Sequence, residues 1–525
     1  MSAAPLVELA IAVAGGAALY ASGERSPRGR LASGTLAALA ALGSLPVLRS
    51  LRTADLNWCY GYTLQDSFDW IANGLFWAGQ PIAASFRPPG LPLLIAALWR
   101  LGLLHLLPLL NILVLMLTAA ALQRFLLLRF TPPVAALAAW VFFANSYLQW
   151  YAPFVMAELY ATLFLVLAAQ AFARAGEDPR LYRRFGAALG AGFLFHYAAP
   201  IAGLGFALAV LLTRRAQLRR RELWEGALLA TALPIVWLLV RHALQVAHPG
   251  HDHPVESLLR LTAHHAGFYA VAVAALLGLA LLPLYAVGAA RLLLATPRCA
   301  VADAALAAGL PLLLFWAFLY DWRDKRFLIY VLPFAMPLLA AGIEALLAYA
   351  RRSPAALAVV AAYLPAALLW NQIAYPPFGI QYLALTPRDF IDLGDHLEGA
   401  SVVRYHRRMR DALGGALFDF RRRPLPCADA GGRAELEALK PCVDRALRPG
   451  EPLGVAIPPL APVEGWVAVN RLSNLLLRPM AAPEETRLAI TEDPALVRGL
   501  AGVGVTGGWR LIPGRSAAPL SATCP

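Results

Sequence analysis

The stretch at residues 66–90, DSFDWIANGLFWAGQPIAASFRPPG, separates long apolar runs and contains two carboxylates and an arginine. It begins with two carboxylates, Asp66 and Asp69, and ends with Arg87 followed by two prolines and a glycine. A charged segment that contains prolines and lies at a membrane edge is typical of a reaction site or of a polar loop between membrane helices. This segment therefore contains the first candidates for function.

The composition predicts a membrane protein. Of the 525 residues, 59% are hydrophobic and only 15% are charged. Many apolar runs approach the roughly 20 residues that cross a bilayer. The net charge of +13 comes mainly from arginines in short loops beside these runs, as the positive-inside rule describes. We therefore expect membrane lipids as partners and no nucleic acid.

Apolar windows predict an all-α polytopic membrane domain of about twelve transmembrane helices. The predicted spans lie at about residues 5–22, 31–50, 106–128, 132–149, 155–174, 185–197, 199–213, 225–243, 269–290, 301–320, 327–350 and 354–371. The run from Gly90 to Leu104 is short and interrupted by Arg100, so it predicts an interfacial helix in a first outer loop at 51–105. With this count the arginine clusters fall on the cytoplasmic side.

The composition changes after residue 375, which predicts two domains. Residues 1–375 form the membrane domain, and residues 376–525 are expected to form a soluble extracytoplasmic α/β or α+β domain. Short β-rich runs at 453–457 and 487–491 support the second assignment. Cys427 and Cys442 in this domain could pair or remain free thiols, and no Cys and His spacing predicts a zinc site.

Three carboxylates are candidates for catalysis. Asp66 and Asp69 are three residues apart, so on a helix they share one side. They could provide a general base, ligate a divalent cation, or simply cap the helix. Glu158 begins an apolar run, where a carboxylate is costly to keep without a role, unless it is an exposed interfacial residue.

Arg87 is the first candidate for binding a phosphate. The prolines that follow fix the backbone, so its guanidinium could be held at the interface for bidentate contact; an anchor that reaches to the interface is the alternative. His196 marks a break between two short spans. It could face a substrate or be a hydrogen-bonded structural residue.

The loop at residues 321–327 places three cations on the outer side, against the positive-inside trend. These cations are Arg323, Lys325 and Arg326. A phosphate or diphosphate between two spans would explain them. The alternative is a charge-balanced loop in which Asp321 and Asp324 are the partners.

Several of these segments resemble one family in order along the chain. Asp66 to Trp70, followed by Arg87-Pro-Pro-Gly-Leu-Pro92, resembles the first outer loop of the GT-C superfamily of membrane glycosyltransferases. The branch is the bacterial one related to protein O-mannosyltransferases and lipid A aminoarabinose transferases. The resemblance covers about residues 31–371 and includes three more places: Ala157-Glu158-Leu-Tyr, Phe195-His196, and Arg326 to Pro333.

The resemblance implies a function and a set of site residues. The implied reaction is an inverting transfer of a sugar from a polyprenyl-phosphate carrier to a glycan, lipid or protein acceptor. It would occur at the outer face of the bacterial cytoplasmic (inner) membrane. Asp66 is implied as base or orienting group, with Asp69 as second choice and Glu158 as a further catalytic residue. The implied carrier-phosphate ligands are Arg87, Arg323, Lys325 and Arg326, and Trp70 and His196 are implied in the substrate pocket.

No cofactor is predicted with certainty, and a divalent cation stays open. The alternatives for function are a polymerase or ligase of lipid-linked glycans, and a transporter or flippase of lipid-linked sugars. A transporter should place ionisable groups near helix midpoints, whereas these candidates gather at one membrane surface.

Overall fold

The computed structural model of the chain describes helices over most of its length. The described residues are 4–51, 65–82, 87–152, 154–244, 263–294, 299–320, 325–374, 430–448, 451–456, 472, 476–477, 480–481, 488–491, 505–506 and 509–513. The helices before residue 375 are α1 (Ala4–Ala21), α2 (Pro27–Leu51), α3 (Gln65–Trp77), α4 (Gly90–Arg100), α5 (Leu107–Leu126), α6 (Pro132–Phe143), α7 (Ser146–Tyr151), α8 (Glu158–Arg174), α9 (Leu181–Phe195), α10 (Ala198–Thr213), α11 (Arg221–Ala243), α12 (Ala263–Leu277), α13 (Leu282–Leu293), α14 (Ala300–Leu314), α15 (Leu332–Ala350) and α16 (Pro354–Ala374). Short 3₁₀ segments include Leu104–Leu106, Leu279–Leu281 and Lys325–Tyr330.

Proline sets where several helices begin. α5, α6 and α15 each have proline in the first two helical positions, where the missing N–H costs nothing and the fixed φ suits a helix. α4 begins at Gly90, with Pro89 as its N-cap residue. A helix, α4, is thus present where the interfacial helix was predicted, and α3 precedes it; its position at the membrane interface stays a prediction.

Four helices are long and apolar enough to cross a membrane among the described residues. They are Leu104–Leu126, Arg221–Ala243, Ala300–Leu319 and Leu332–Ala350. Other apolar helices are shorter, for example Ala198–Thr213 with 16 residues. The helices surround one continuous apolar core, to which the buried residues of α5, α6, α8 and α15 contribute heavily.

The count of about twelve uninterrupted spans is not confirmed, because two of the predicted spans are broken. The span predicted at 269–290 becomes α12 and α13, which are separated at Gly278 with φ +84°. Glycine adopts this left-handed conformation without steric cost. The span predicted at 132–149 becomes α6 and α7, because the Asn145 side chain accepts hydrogen bonds from the amides of Tyr147 and Leu148 and caps a new helix.

Small residues let some helices approach closely. A Cβ placed on Gly186 of α9 would lie only 1.9 Å from the carbonyl oxygen of Gly226 in α11. Helix pairs in membranes often use such small residues, since they associate through close backbone packing. The close contact with α11 therefore fixes the position of α9, and His196 follows directly after the last residue of α9.

After residue 430 the described elements form a small mixed structure. They are α17 (Ala430–Ala446), β1 (Leu453–Ala456), β2 (Met480–Ala481), β3 (Leu488–Thr491), β4 (Val505–Thr506) and β5 (Trp509–Pro513), with sheet order β2-β1-β3-β5-β4. β1 is parallel to β2 and β3, whereas β5 is antiparallel to β3 and β4. Strands β1 and β3 agree with the predicted β-rich runs.

One cysteine of this region lies in its core. Cys442 is a buried free thiol that packs with Val443, Leu453 and Ile490. Cys427 lies outside the described residues. The predicted domain boundary between residues 375 and 376 also lies outside them. The disulfide and the domain boundary therefore stay predictions.

Candidate active site

The first turns of α3 present two carboxylates to one arginine. Arg87 Nη2 lies 3.0 Å from Asp66 Oδ1, and its Nε donates to Asp69 Oδ2. The Arg87 side chain is only 13% exposed. It therefore points into the protein and is not an anchor that reaches to the lipid interface.

Two neighbours in α3 hold this arrangement. The Asn73 amide donates to the carbonyl oxygen of Asp69 at 2.8 Å and to its carboxylate Oδ1 at 3.3 Å. The Arg87 guanidinium lies over the Trp70 ring, with Cζ 5.1 Å from the ring centroid. Trp70 itself is 1% exposed. Its ring, which was predicted to line a substrate pocket, makes a cation–π contact with Arg87.

The 3₁₀ segment Lys325–Tyr330 supplies a second arginine to the same carboxylate. Arg326 Nη2 lies 2.7 Å from Asp66 Oδ2, and Arg326 Nε lies 3.8 Å from Glu158 Oε1. Its side chain is 12% exposed. Asp66 therefore lies between two guanidiniums, one from the segment between α3 and α4 and one from the segment before α15.

Glu158 completes the cluster at the first position of α8. Its side chain is 3% exposed, which excludes the alternative of an exposed interfacial residue. A carboxylate at a helix amino terminus gains from the helix dipole, and this one also gains from the nearby Arg326 charge. We call the five residues Asp66, Asp69, Arg87, Glu158 and Arg326 the ionic cluster.

The two arginines decide the protonation of Asp66. Burial alone would raise the pKa of the Asp66 carboxyl, but the charges of Arg326 and Arg87 outweigh it and hold that pKa well below its usual range. Asp66 is therefore an ionised carboxylate at any functional pH. A carboxylate so stabilised is a weak base while both arginines remain on it.

His196 lies in the turn between α9 and α10 and has a structural contact of its own. Its Nδ1 accepts a hydrogen bond from the Ala198 amide at 3.1 Å, and its ring lies 5.0 Å from the Tyr330 ring. Burial, then the charges of Arg326 and Arg87, lower the pKa of His196 to about 3. The imidazole is therefore neutral, with its proton on Nε2.

The structure brings together most of the predicted site residues. Asp66, Asp69, Glu158, Arg87 and Arg326 are in contact, and Trp70 and His196 adjoin them. Arg323 lies outside the described residues, and so does the side chain of Lys325. Their predicted role in binding phosphate stays a prediction.

The described carboxylates do not by themselves indicate a metal centre. Within the described ranges, no group of three or more His, Cys, Asp and Glu side chains could hold a metal ion. A divalent cation at Asp66 and Asp69 would have to compete with Arg87 for the same oxygens.

An apolar cavity of 210 Å³ lies along the segment that carries Arg326. It is formed by α12, α14 and α15 together with the 3₁₀ segment. Its wall includes Leu277, Leu306, Leu310, Leu328 and Val331. Leu328, which lines this cavity, is two residues after the buried Arg326 in the same 3₁₀ segment.

Sequence reasoning missed three polar residues around the cluster. Asn73 holds Asp69, Tyr330 packs against His196, and Asn111 bonds to Phe154 and Tyr160, which precede and follow Glu158 in the chain. Asn111 had a usable signal, because an amide inside an apolar span needs partners. The other two had none, since their roles arise only from the tertiary contacts.

Two solved structures have a similar fold over nearly their whole length. The structure of ArnT from Cupriavidus metallidurans bound to undecaprenyl phosphate matches 93% of this chain and 99% of its own, at 15% identity and a TM-score of 0.56. The structure of the same protein in the apo state matches 93% and 100%, at 16% identity and a TM-score of 0.56.

At these identities the likeness is one of fold. The fold of this chain is therefore similar to that of ArnT, as the predicted resemblance implies. No protein-family model matches the sequence, and no curated protein matches it either.

Proposed function

We propose that this protein transfers a sugar from a polyprenyl-phosphate carrier to an acceptor hydroxyl at the outer face of the bacterial cytoplasmic membrane. The observation that carries the proposal is the ionic cluster, in which buried carboxylates and arginines from four separate segments meet. The fold shared with ArnT, one structure of which contains undecaprenyl phosphate, supports the choice of a polyprenyl phosphate.

The two arginines have different roles in this proposal. Arg87 contacts both Asp66 and Asp69 and stacks over Trp70, so it holds the carboxylates of α3 in place. Arg326 contacts Asp66 through Nη2, and its Nε is 3.8 Å from Glu158. Arg326 is therefore the better ligand for the carrier phosphate, which would take over part of its pairing.

The reaction is a displacement at the anomeric carbon. The acceptor oxygen forms a bond to that carbon, the bond from the carbon to the phosphate oxygen breaks, and the electron pair leaves with the polyprenyl phosphate. Arg326 stabilises the charge on the departing phosphate. The acceptor proton passes to Asp66, and attack from the opposite side inverts the anomeric configuration.

Phosphate binding would also prepare the base. In the ligand-free cluster both arginines hold the pKa of Asp66 low. When Arg326 turns to the phosphate, the carboxylate loses part of that stabilisation and the negatively charged phosphodiester of the donor approaches it, so its basicity rises. The base is thus strengthened only when the donor is bound.

The apolar cavity is the proposed place for the first part of the isoprenoid chain. Its lining includes Leu328 and Val331, which follow Arg326 in the chain. A lipid whose phosphate meets Arg326 would therefore have apolar surface available on the same short segment of chain.

The test is a turnover assay in proteoliposomes that contain synthetic polyprenyl-phosphate sugars and mixed acceptors. We expect wild-type protein to release polyprenyl phosphate and to form a glycoside of inverted configuration. Asp66→Asn should lower turnover by about a thousandfold, because it removes the base while keeping the shape. Asp303→Asn, a carboxylate in the first turn of α14, is the matched control and should retain activity.

Two results would contradict the proposal. One is equal turnover by wild type and Asp66→Asn. The other is movement of intact donor between leaflets without cleavage of the sugar, which would indicate a transporter.

A further inference from the structure

Asn111 is a buried amide in the apolar helix α5 and has two partners outside that helix. It is 1% exposed. Its Nδ2 donates to the carbonyl oxygen of Phe154 at 2.7 Å, and its Oδ1 accepts from the Tyr160 hydroxyl at 2.7 Å. The amide thus uses a donor and an acceptor at once, on two different residues.

The two partners lie on either side of Glu158 in the chain. Phe154 belongs to the irregular segment before α8, and Tyr160 belongs to the first turn of α8. Because the backbone before a helix lacks the repeating helical hydrogen bonds, its position depends on contacts such as the one at the Phe154 carbonyl. Asn111 therefore fixes both the approach to Glu158 and the turn that carries it.

The same contact reaches the His196 turn. The Tyr160 ring stacks on the Phe195 ring, with centroids 5.0 Å apart and planes 7° from parallel. Phe195 is the last residue of α9 and directly precedes His196. A tyrosine held by Asn111 thereby supports a second part of the site.

We propose that Asn111 is a positioning residue that holds the Glu158 carboxylate at its distance from Arg326. The inference rests on the proposed function, since it concerns how the ionic cluster is kept in working geometry. The hydrogen-bond partners of Asn111 are Phe154 and Tyr160, so its effect on the ionic cluster is transmitted through the backbone at Phe154 and the side chain of Tyr160.

A buried polar residue in α5 need not reach other segments. Thr118, two turns later in the same helix, is fully buried and donates to the carbonyl oxygen of Val114 in α5 at 2.8 Å. Its hydroxyl is satisfied within its own helix. The comparison makes Thr118→Val a matched control for the loss of a buried polar group from α5.

The chemistry of the amide suggests the informative substitutions. Asn111→Leu removes both hydrogen bonds. Asn111→Asp keeps the shape, but an ionised carboxylate can only accept; when protonated it can donate to Phe154 and accept from Tyr160 as the amide does. Tyr160→Phe keeps the ring stack on Phe195 and removes one hydrogen bond.

The experiment uses the full chain in nanodiscs with polyprenyl-phosphate sugar as donor. We expect Asn111→Leu to lower kcat by about 10- to 100-fold, with the donor KM changed less than about threefold, since a small misplacement of a catalytic group costs this much. Thr118→Val should keep wild-type kcat. The activity of Asn111→Asp relative to wild type should rise as the pH falls.

A second measurement does not depend on turnover. Hydrogen exchange of the amides at 154–160 should become faster in Asn111→Leu and stay unchanged in Thr118→Val, because only the first loses the anchor at Phe154. The losses from Asn111→Leu and Tyr160→Phe should also be less than additive when combined, since both remove the same link.

The outcomes separate this inference from the proposed function. If wild type turns over donor and Asn111→Leu has the same kcat and the same exchange at 154–160, Asn111 has no positioning role. If exchange increases as expected but wild type has no transferase activity, the anchoring holds and the proposed function fails. A proportional fall in activity and folded yield in both Asn111→Leu and Thr118→Val, with unchanged specific kcat, would also overturn the inference.

Discussion

Arg326 Nη2 lies 2.7 Å from Asp66 Oδ2, although Asp66 belongs to α3 and Arg326 to the 3₁₀ segment just before α15. This contact joins opposite ends of the membrane region. Arg87 contacts the other oxygen of the same carboxylate at 3.0 Å. Each arginine thus contacts a different oxygen of the Asp66 carboxylate. Substituting one arginine at a time can therefore separate their contributions to activity.

Replacing each arginine by lysine should give different kinetic defects. Arg326→Lys keeps the charge but loses the fork that binds a phosphate through two nitrogens, so we expect the donor KM to rise about tenfold or more. Arg87→Lys cannot bridge Asp66 and Asp69 together, so we expect kcat to fall with little change in donor KM. Steady-state kinetics against donor concentration measures both.

Arg183→Lys is the control for these variants, because Arg183 is 52% exposed and pairs only at the surface with Glu225. Such exposed pairs contribute about 0–1 kcal/mol, and its kinetics should match wild type. The same KM and kcat pattern for Arg87→Lys and Arg326→Lys would contradict the division of roles.

His196 should make stability depend on pH in an acidic window. Its folded pKa is lowered to about 3, whereas an unfolded histidine titrates near 6.5. Between these values the unfolded chain binds more protons, so stability falls as the pH drops from about 6.5 to 3. One proton corresponds to at most about 1.4 kcal/mol per pH unit, less here because the ring is partly exposed.

The measurement is the thermal midpoint in detergent across this pH range. His196→Gln should flatten the decline, since glutamine does not titrate. His242→Gln, at an exposed position near the end of α11, should leave it unchanged. A decline equally steep in wild type and His196→Gln would show that other groups cause it.

Gly90 should not tolerate a side chain. A Cβ there would lie 2.6 Å from the Leu194 carbonyl oxygen of α9, and backbone cannot move aside cheaply. We expect Gly90→Ala to destabilise the protein by roughly 1–3 kcal/mol, as overpacking does. Gly43→Ala in α2, where nothing lies within 4 Å, should instead be neutral or stabilise by roughly 0.5–1 kcal/mol. Thermal midpoints compare the two, and equal effects would contradict the contact at Leu194.

Labelling should place α4 and the α9 amino terminus on opposite sides of the membrane. In a variant with all five natural cysteines replaced, Arg100→Cys should react with a membrane-impermeant maleimide added outside intact cells. Arg184→Cys should react only after lysis. Both positions are exposed. Reaction of the second from outside would invert the proposed topology and remove the extracytoplasmic active site.

The sequence was informative wherever chemistry is local. The spacing of Asp66 and Asp69 predicted a shared side, and both contact Arg87. The cations at 323–326 were predicted to bind a phosphate, and Arg326, the one whose side chain is described, lies in the ionic cluster; the phosphate role and the sidedness stay predictions. The charge of a residue and the helical spacing between residues are properties of a short segment, so they can be interpreted without knowledge of the fold.

What the sequence did not predict depends on backbone angles or on distant partners. An apolar window continues across Gly278 because hydropathy contains no information about φ, so one span was predicted where α12 and α13 stand. The pairing of Arg326 with Asp66 depends on how segments far apart in the chain pack, and Asn111 acts through a carbonyl group that has no sequence signature.

The backbone contact at Gly90 has a consequence for how a bulky donor enters. Because α4 meets α9 with no side chain between them, these two parts have no compressible layer along which to slide. The residues that follow Arg326 are likewise buried in the apolar core, whereas the Arg326 guanidinium is held by ion pairs, which can exchange partners. A donor bound as proposed would therefore meet rigid backbone on both sides, and the adjustable part would be the arginine side chain that contacts its head group.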